Sequence, residues 1–168
     1  MRANVATADD YEAIRALIHE YCYRIDAGDL DGVAQLFAHA SLGASTHPHR
    51  MRGAAEARKN YAGVILYEDG TPHTMHCITN ITIRFDEPTA AAPESGLESG
   101  LATASSRSYF TVLQSNHDFA LQPIIAGQYS DRFACTDGTW QFAERVIHPD
   151  RVGDLRWHMD PRWAPPRT

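Results

Sequence analysis

The amino-acid sequence predicts an α+β fold in which amino-terminal helices pack against a curved antiparallel sheet. Apolar residues recur at helical spacing in the first third of the chain. After Thr71 the pattern changes to long extended runs, the last two separated by the hairpin signal Thr136-Asp137-Gly138. Helices first and strands afterwards is the order of an α+β arrangement.

The first helix is read from Asp9 to Ala27, where Ile14, Leu17, Ile18, Tyr21, Cys22 and Ile25 form one stripe. Asp9 or Asp10 is available as its cap, and Gly28 ends it. Asp29 can cap a second short helix through Phe37, with Leu30, Val33, Leu36 and Phe37 facing inward. A third, weaker helix is expected over 53–66. Extended runs follow at 74–85, 103–114, 123–135 and 139–148, the last rich in aromatic and β-branched residues.

With 168 residues and 43% hydrophobic content, the chain reads as one globular domain over 1–168 with its core at about 9–148. Residues 86–102, rich in Pro, Gly, Ser and Ala, read as a mobile hairpin loop. The tail over 149–168 carries Trp157, His158, Met159 and Trp163. It is too apolar for a solvated tail and is expected to pack over the sheet, a pocket mouth or a neighbouring subunit.

Composition excludes several function classes. A net charge of -6, with Lys59 the sole lysine, gives no electrostatic footprint for nucleic acid. Cys22, Cys77 and Cys135 are widely spaced and lack a CxxC pair, as expected of reduced thiols in a cytoplasmic protein. Neither a signal-like apolar core nor a membrane span is expected. His47, His49, His73, His76 and His117 lack a recognised arrangement of Cys or carboxylate partners. Residues three apart on a strand, such as His73 and His76, point to opposite faces, so neither a metal nor another cofactor is expected.

The candidate chemistry lies in Asp26, near the end of the first helix, and His76, in the run MHCITNITIRF. A carboxylate can hold an imidazole in one tautomer and make it a base able to take a proton from carbon. Asp26 could instead make a local cap or pair with an arginine. A carboxylate at that end of a helix opposes the dipole, at a cost of about 0.3–1 kcal/mol, so some other interaction must favour it. Period-two alternation places His76, Ile78, Asn80, Thr82 and Arg84 on one face, opposite Cys77, Thr79, Ile81, Ile83 and Phe85. Asn80 could donate to a substrate oxygen or satisfy buried backbone. Arg145 could stabilise developing charge or form a salt bridge with Asp26, Asp131 or Glu144; a guanidinium cannot act as a base at neutral pH.

The segments YRIDAGDLDGVAQLF, PHTMHCITNITI and GQYSDRFACTDGTWQFAERVI, in this order, resemble the SnoaL-like branch of the cone-shaped cystatin-like fold shared with nuclear transport factor 2 and ketosteroid isomerase. Within it the sequence is most similar to scytalone dehydratase, hexachlorocyclohexane dehydrochlorinase and bile-acid dehydratases. The resemblance implies that His76 takes a proton, that Asp26 orients it, and that Arg145 matches an arginine near a leaving group. The expected architecture is a cone enclosing one apolar pocket, with Asn80, Tyr21 and Ile78 as the expected substrate contacts. The chain departs from scytalone dehydratase in having SSRSYFTV where that enzyme carries a second histidine, and Ile25 where it has a tyrosine before the helix aspartate. The stretch ASLGASTHPH lacks the acid that the ketosteroid isomerase arrangement needs.

The expected function is cofactor-independent lyase chemistry, a dehydratase-like elimination or a related isomerisation or cyclisation, on a small polycyclic, steroid-like or polyketide-like molecule. The alternatives are a noncatalytic binding or assembly protein, and a small subunit of a ring-hydroxylating dioxygenase. Three short helices cannot cover both faces of the sheet, so a homodimer or homotrimer is expected.

Overall fold

The computed structural model describes residues 6–86 and 102–162. Helix α1 (Ala8–Asp26) starts from a capping box: the Thr7 hydroxyl accepts from the Asp10 N–H at 3.2 Å, and Asp10 accepts from the Thr7 N–H at 2.8 Å. Thr7 is therefore the cap, where Asp9 or Asp10 was expected. Asp10 is left to play two parts, because its other oxygen accepts from the Trp140 indole at 2.8 Å and ties the helix start to the sheet. Helix α2 (Leu30–Gln35) is capped by Asp29, and α3 (Gly53–Lys59) is shorter than the 53–66 segment expected.

Six strands form one curved, unclosed sheet: β1 (Ser41–Ala44), β2 (Met51–Arg52), β3 (Thr74–Phe85), β4 (Ala102–Asn116), β5 (Phe119–Thr136) and β6 (Thr139–Val152), in the order β2-β1-β6-β5-β4-β3. The four long strands form an antiparallel meander. At the β5–β6 hairpin, Asp137 and Gly138 both have positive φ, 51° and 78°, as a two-residue type I′ turn requires. β1 and β2 were not expected from the sequence; at four and two residues they are too short to show a period. β1 pairs with β6 in parallel. The loop expected over 86–102 lies, between its end residues Asp86 and Ala102, outside the described residues, as does Trp163. β6 runs to Val152, so the tail leaves the sheet later than residue 149.

The core lies between α1 and the inner face of the sheet. Ile14, Ile18, Tyr21, Cys22 and Ile25 pack with Phe110, Tyr129, Phe133 and Phe142. Ring contacts fill the space: Tyr21 meets Phe37 and Tyr129 edge-on, Phe110 stacks on Tyr129, and Phe37 stacks on Phe142. On the outer face Met75, Tyr109 and Leu121 stand 61%, 50% and 66% exposed.

One glycine fixes how α1 meets β3. Gly28 has φ 76°, and a Cβ there would lie 2.0 Å from the carbonyl oxygen of Gly70, in the turn that leads into β3. The turn after the helix and the turn before the strand are thus in backbone contact. Gly28→Ala should lower the unfolding free energy by about 2 kcal/mol through strain and this clash. Gly138→Ala, at φ 78° with nothing within 4 Å of the added carbon, should cost only the conformational term of about 1 kcal/mol. Equal losses for the two variants in urea denaturation would contradict this reading.

Candidate active site

Asp26 is the last residue of α1, and the Gly28 turn aims it at the start of β3. Its Oδ1 accepts from the Thr74 hydroxyl at 2.7 Å and meets His76 Nδ1 at 2.6 Å, while its Oδ2 accepts from the His76 backbone N–H at 2.7 Å. Burial pushes the Asp26 carboxyl up, but the bonds and charge of His76 and the Thr74 hydroxyl outweigh it and hold the group below the usual carboxylate range. An ionised carboxylate only accepts, so Nδ1 carries the proton and Nε2 of a neutral ring carries the lone pair. The His76 side chain is 6% exposed and that of Asp26 21%. Such a ring, fixed on one side and basic on the other, can take a proton from a bound molecule.

Arg145 lies elsewhere on the same inner surface and is fully buried. Of the three partners open to it, it takes Asp131, in a bidentate pair at 2.7 and 2.8 Å. Its guanidinium carbon sits 4.3 Å from the Tyr21 ring centre, 4.2 Å from Tyr129 and 4.7 Å from Phe142. Burial opposes its charge, but the Asp131 carboxylate outweighs that and holds it more firmly protonated than a free arginine. Tyr21 is thus a wall of this ion pair, and its hydroxyl accepts from Tyr61 at 3.3 Å. Burial pushes the neighbouring Cys22 thiol up to about 12, against a smaller opposite effect of the Arg145 charge.

Asn80 does not join them. It has φ 56°, and the β3–β4 register shifts between Thr79 and Thr82. This β-bulge adds one residue and reverses the alternation, so that His76 and Ile78 share the inner face with Ile81, Ile83 and Phe85. Asn80, Thr82 and Arg84 turn out to solvent, which corrects the face expected from strict period-two counting. Asn80 lines a groove of about 400 Å³ with Arg84, Arg107 and Tyr109, beside the bulge. The part of the interior around Arg145 is filled by the rings of Tyr21, Phe110, Tyr129 and Phe142. His73, also at positive φ (54°), stacks on Tyr67 and bonds Asp69 at 3.0 Å, facing away from His76.

The sequence reading assigned no site role to Thr74, Gln114 or His158. Thr74 was hidden because its hydroxyl matters only through Asp26. His158 follows Trp157 and precedes Met159, an apolar context that signalled burial of the tail without showing where it docks. It is 6% exposed, and burial, then His76, push its imidazole down to about 4, against a smaller opposite effect of Asp26.

Arg145→Met should leave Asp131 buried and unpaired and cost about 3–5 kcal/mol in denaturant unfolding, with much of the loss recovered in the double variant Arg145→Met, Asp131→Leu. A loss below about 1 kcal/mol for the single variant would mean that the pair does not hold the core.

The chain matches the family model of the SnoaL-like domain over residues 6–146. No curated protein matches it. Among solved structures it is similar to a protein of unknown function with a cystatin-like fold from Nostoc punctiforme, at 22% identity over 89% of this chain and 97% of that one, with a TM-score of 0.65. It is similar also to a candidate scytalone dehydratase from Novosphingobium aromaticivorans, at 19% identity over 87% of this chain and 85% of that one, with a TM-score of 0.57. The beta subunit of a candidate aromatic-ring-hydroxylating dioxygenase from the same organism gives 16% identity, 88% and 94% coverage and a TM-score of 0.60. At these identities the likenesses show the fold alone. Because the family model spans most of the chain and the neighbours share its helices and curved sheet, the protein belongs to the SnoaL-like family, with the cystatin-like fold of nuclear transport factor 2.

Proposed function

We propose that the protein is a cofactor-independent lyase that eliminates water from a small hydroxylated polycyclic molecule. The observation that supports this reading most is the 2.6 Å contact between Asp26 and His76 Nδ1, which leaves Nε2 as the basic nitrogen. In the proposed step the C–H bond next to an activating group breaks and its proton passes to Nε2. The electron pair forms the carbon–carbon double bond, and the neighbouring C–O bond breaks. The departing hydroxide takes the proton back from the His76 imidazolium and leaves as water, so the enzyme returns to its starting state. Asp26 offsets the positive charge that His76 carries between the two transfers. Arg145 is committed to Asp131 and the rings around it, not to Asp26 or His76.

A second reading, a noncatalytic binding or assembly subunit, draws support from the likeness to a dioxygenase beta subunit and from the aromatic filling of the interior. The apolar outer face around Met75, Tyr109 and Leu121 supports self-association on either reading. Light scattering at micromolar concentration is expected to report a dimer or larger, and a strict monomer would remove that part of the proposal.

Hydroxylated polycyclic and polyketide-like compounds should be screened by thermal shift, and each binder followed by mass spectrometry for loss of water. His76→Ala is expected to slow turnover by about 10²–10⁴-fold. Asp26→Asn should slow it as well while ligand binding persists, because the amide no longer fixes the Nδ1–H tautomer. Binding without conversion by the wild type, or conversion by His76→Ala at the wild-type rate, would replace the lyase reading with the noncatalytic one.

A further inference from the structure

The segment after β6 returns to residues 63–67 and to Gln114 on β4 and is fixed there by backbone contacts. The His158 N–H donates to the Leu155 carbonyl at 3.0 Å, the His158 carbonyl accepts from Ile65 N–H at 2.8 Å, and Met159 bridges to Val64. The Trp157 carbonyl accepts from the Tyr67 hydroxyl at 2.7 Å and from the Gln114 amide at 3.1 Å. None of these bonds uses the imidazole of His158. Its Nδ1 is buried and has no partner among the described residues.

Gln114 bonds the peptide carbonyl that directly precedes His158. It is 1% exposed and stands in register with Thr74, which bonds Asp26. Both bonds of its Nε2 go to backbone carbonyls, of Pro72 at 3.0 Å and Trp157 at 3.1 Å. Carbonyls only accept, so these bonds fix which end of the amide is nitrogen. Oε1 therefore points away from them, and it too is buried without a partner among the described residues. Thr74 links this junction to the Asp26–His76 pair, paired across the sheet with Gln114 and bonded to Asp26.

Buried polar atoms in folded proteins are nearly always bonded, so these two call for a partner from outside the chain, either a water or a group of a bound molecule that displaces it. Oε1 can only accept. Nδ1 donates in one tautomer of a neutral ring. A hydroxyl satisfies both at once, donating to Oε1 and accepting from Nδ1–H, whereas a carboxylate has no proton for Oε1 and an ammonium has no lone pair for Nδ1–H.

We propose that His158 and Gln114 form a hydroxyl-recognition subsite beside the Asp26–His76 pair, carried in part by the tail. Resting on the elimination reading, this assigns the subsite to the hydroxyl that departs, next to the carbon whose proton His76 removes. His158 acts by hydrogen bonding alone, and no proton moves from it. The hydroxyl that the elimination reading already places one carbon beyond the acidic C–H, as in a β-hydroxy ketone, is the group this subsite would hold.

The test compares 3-hydroxy-1-indanone with 1-indanone, which lacks the hydroxyl, on the wild type, His158→Phe and His158→Asn. Binding is read by calorimetry and loss of water by mass spectrometry. The wild type is expected to prefer the hydroxylated compound at least tenfold. His158→Phe, which keeps a ring in place, should lose the preference, and His158→Asn, whose amide reaches the position of Nδ1, should recover part of it. In wild-type protein labelled with ¹⁵N-histidine, the hydroxylated compound should move the His158 ring signals more than the deoxy compound does, a readout that does not depend on the variants folding. No preference in the wild type, or unmoved His158 signals, overturns the subsite. Turnover that His158→Phe leaves unchanged overturns it while the lyase reading stands, whereas preference and signal movement without turnover support the subsite and remove the lyase.

Discussion

The arrangement depends on one carboxylate at the wrong end of a helix. Asp26 closes α1 where carbonyl groups already make the field negative, an effect of about 0.3–1 kcal/mol against it. Three short hydrogen bonds from Thr74 and His76 reverse the balance, since bonds to a charged acceptor are each about twice as strong as neutral ones. The helix end and the sheet edge are joined at that point. The same bonds that secure the fold leave His76 with one tautomer and one orientation, so structure and candidate chemistry share a single set of atoms.

Away from this junction the inner surface carries a second charged centre of a different kind. Arg145 and Asp131 neutralise one another within a wall of aromatic rings, and the neighbouring phenols Tyr21, Tyr61 and Tyr129 are pushed up by burial and stay protonated. A guanidinium held this firmly cannot swing to meet a ligand. Its contacts are with Asp131 and with the rings of Tyr21, Tyr129 and Phe142, not with Asp26 or His76. The resemblance that suggested a leaving-group role for Arg145 carried over the residue type but not the surroundings that restrain it.

The succession of helices and then long strands, the helical stripe of α1 and the extent of β3 were legible because each rests on a period or a turn residue that local chemistry imposes, whereas β5 begins four residues before the expected run and β6 ends four residues after it. Although the choice of His76 over an arginine came from the resemblance and not from any local pattern, that Asp26 needs a partner was legible from its place at the helix end. Asn80 was not: a bulge reverses alternation without a signature in the residues that flank it, and Asn is one of the few non-glycine residues that tolerates positive φ. The tail was read as apolar, yet nothing local reveals that Trp157 would dock on Gln114 and Tyr67, about forty positions or more away in sequence. Positions set by distant backbone contacts lie beyond what period and composition encode.

The parallel pairing of β1 with β6 sets the order in which the molecule can be completed. Asp26 and His76 are 50 residues apart, while Ser41 and Glu144 across the β1–β6 ladder are 103 apart. By loop-closure entropy this doubling costs only about 0.6 kcal/mol, so stability hardly registers it. Time does, because long-range pairings form late. During synthesis α1 and β3 are both complete before β4 and can close the Asp26–His76 contact first, β1 keeps the edge that faces β6 open until the last strand arrives, and the segment bearing His158 follows that strand. The candidate site is thus finished from its amino-terminal side, and its carboxy-terminal wall is the last part of the described chain to reach it.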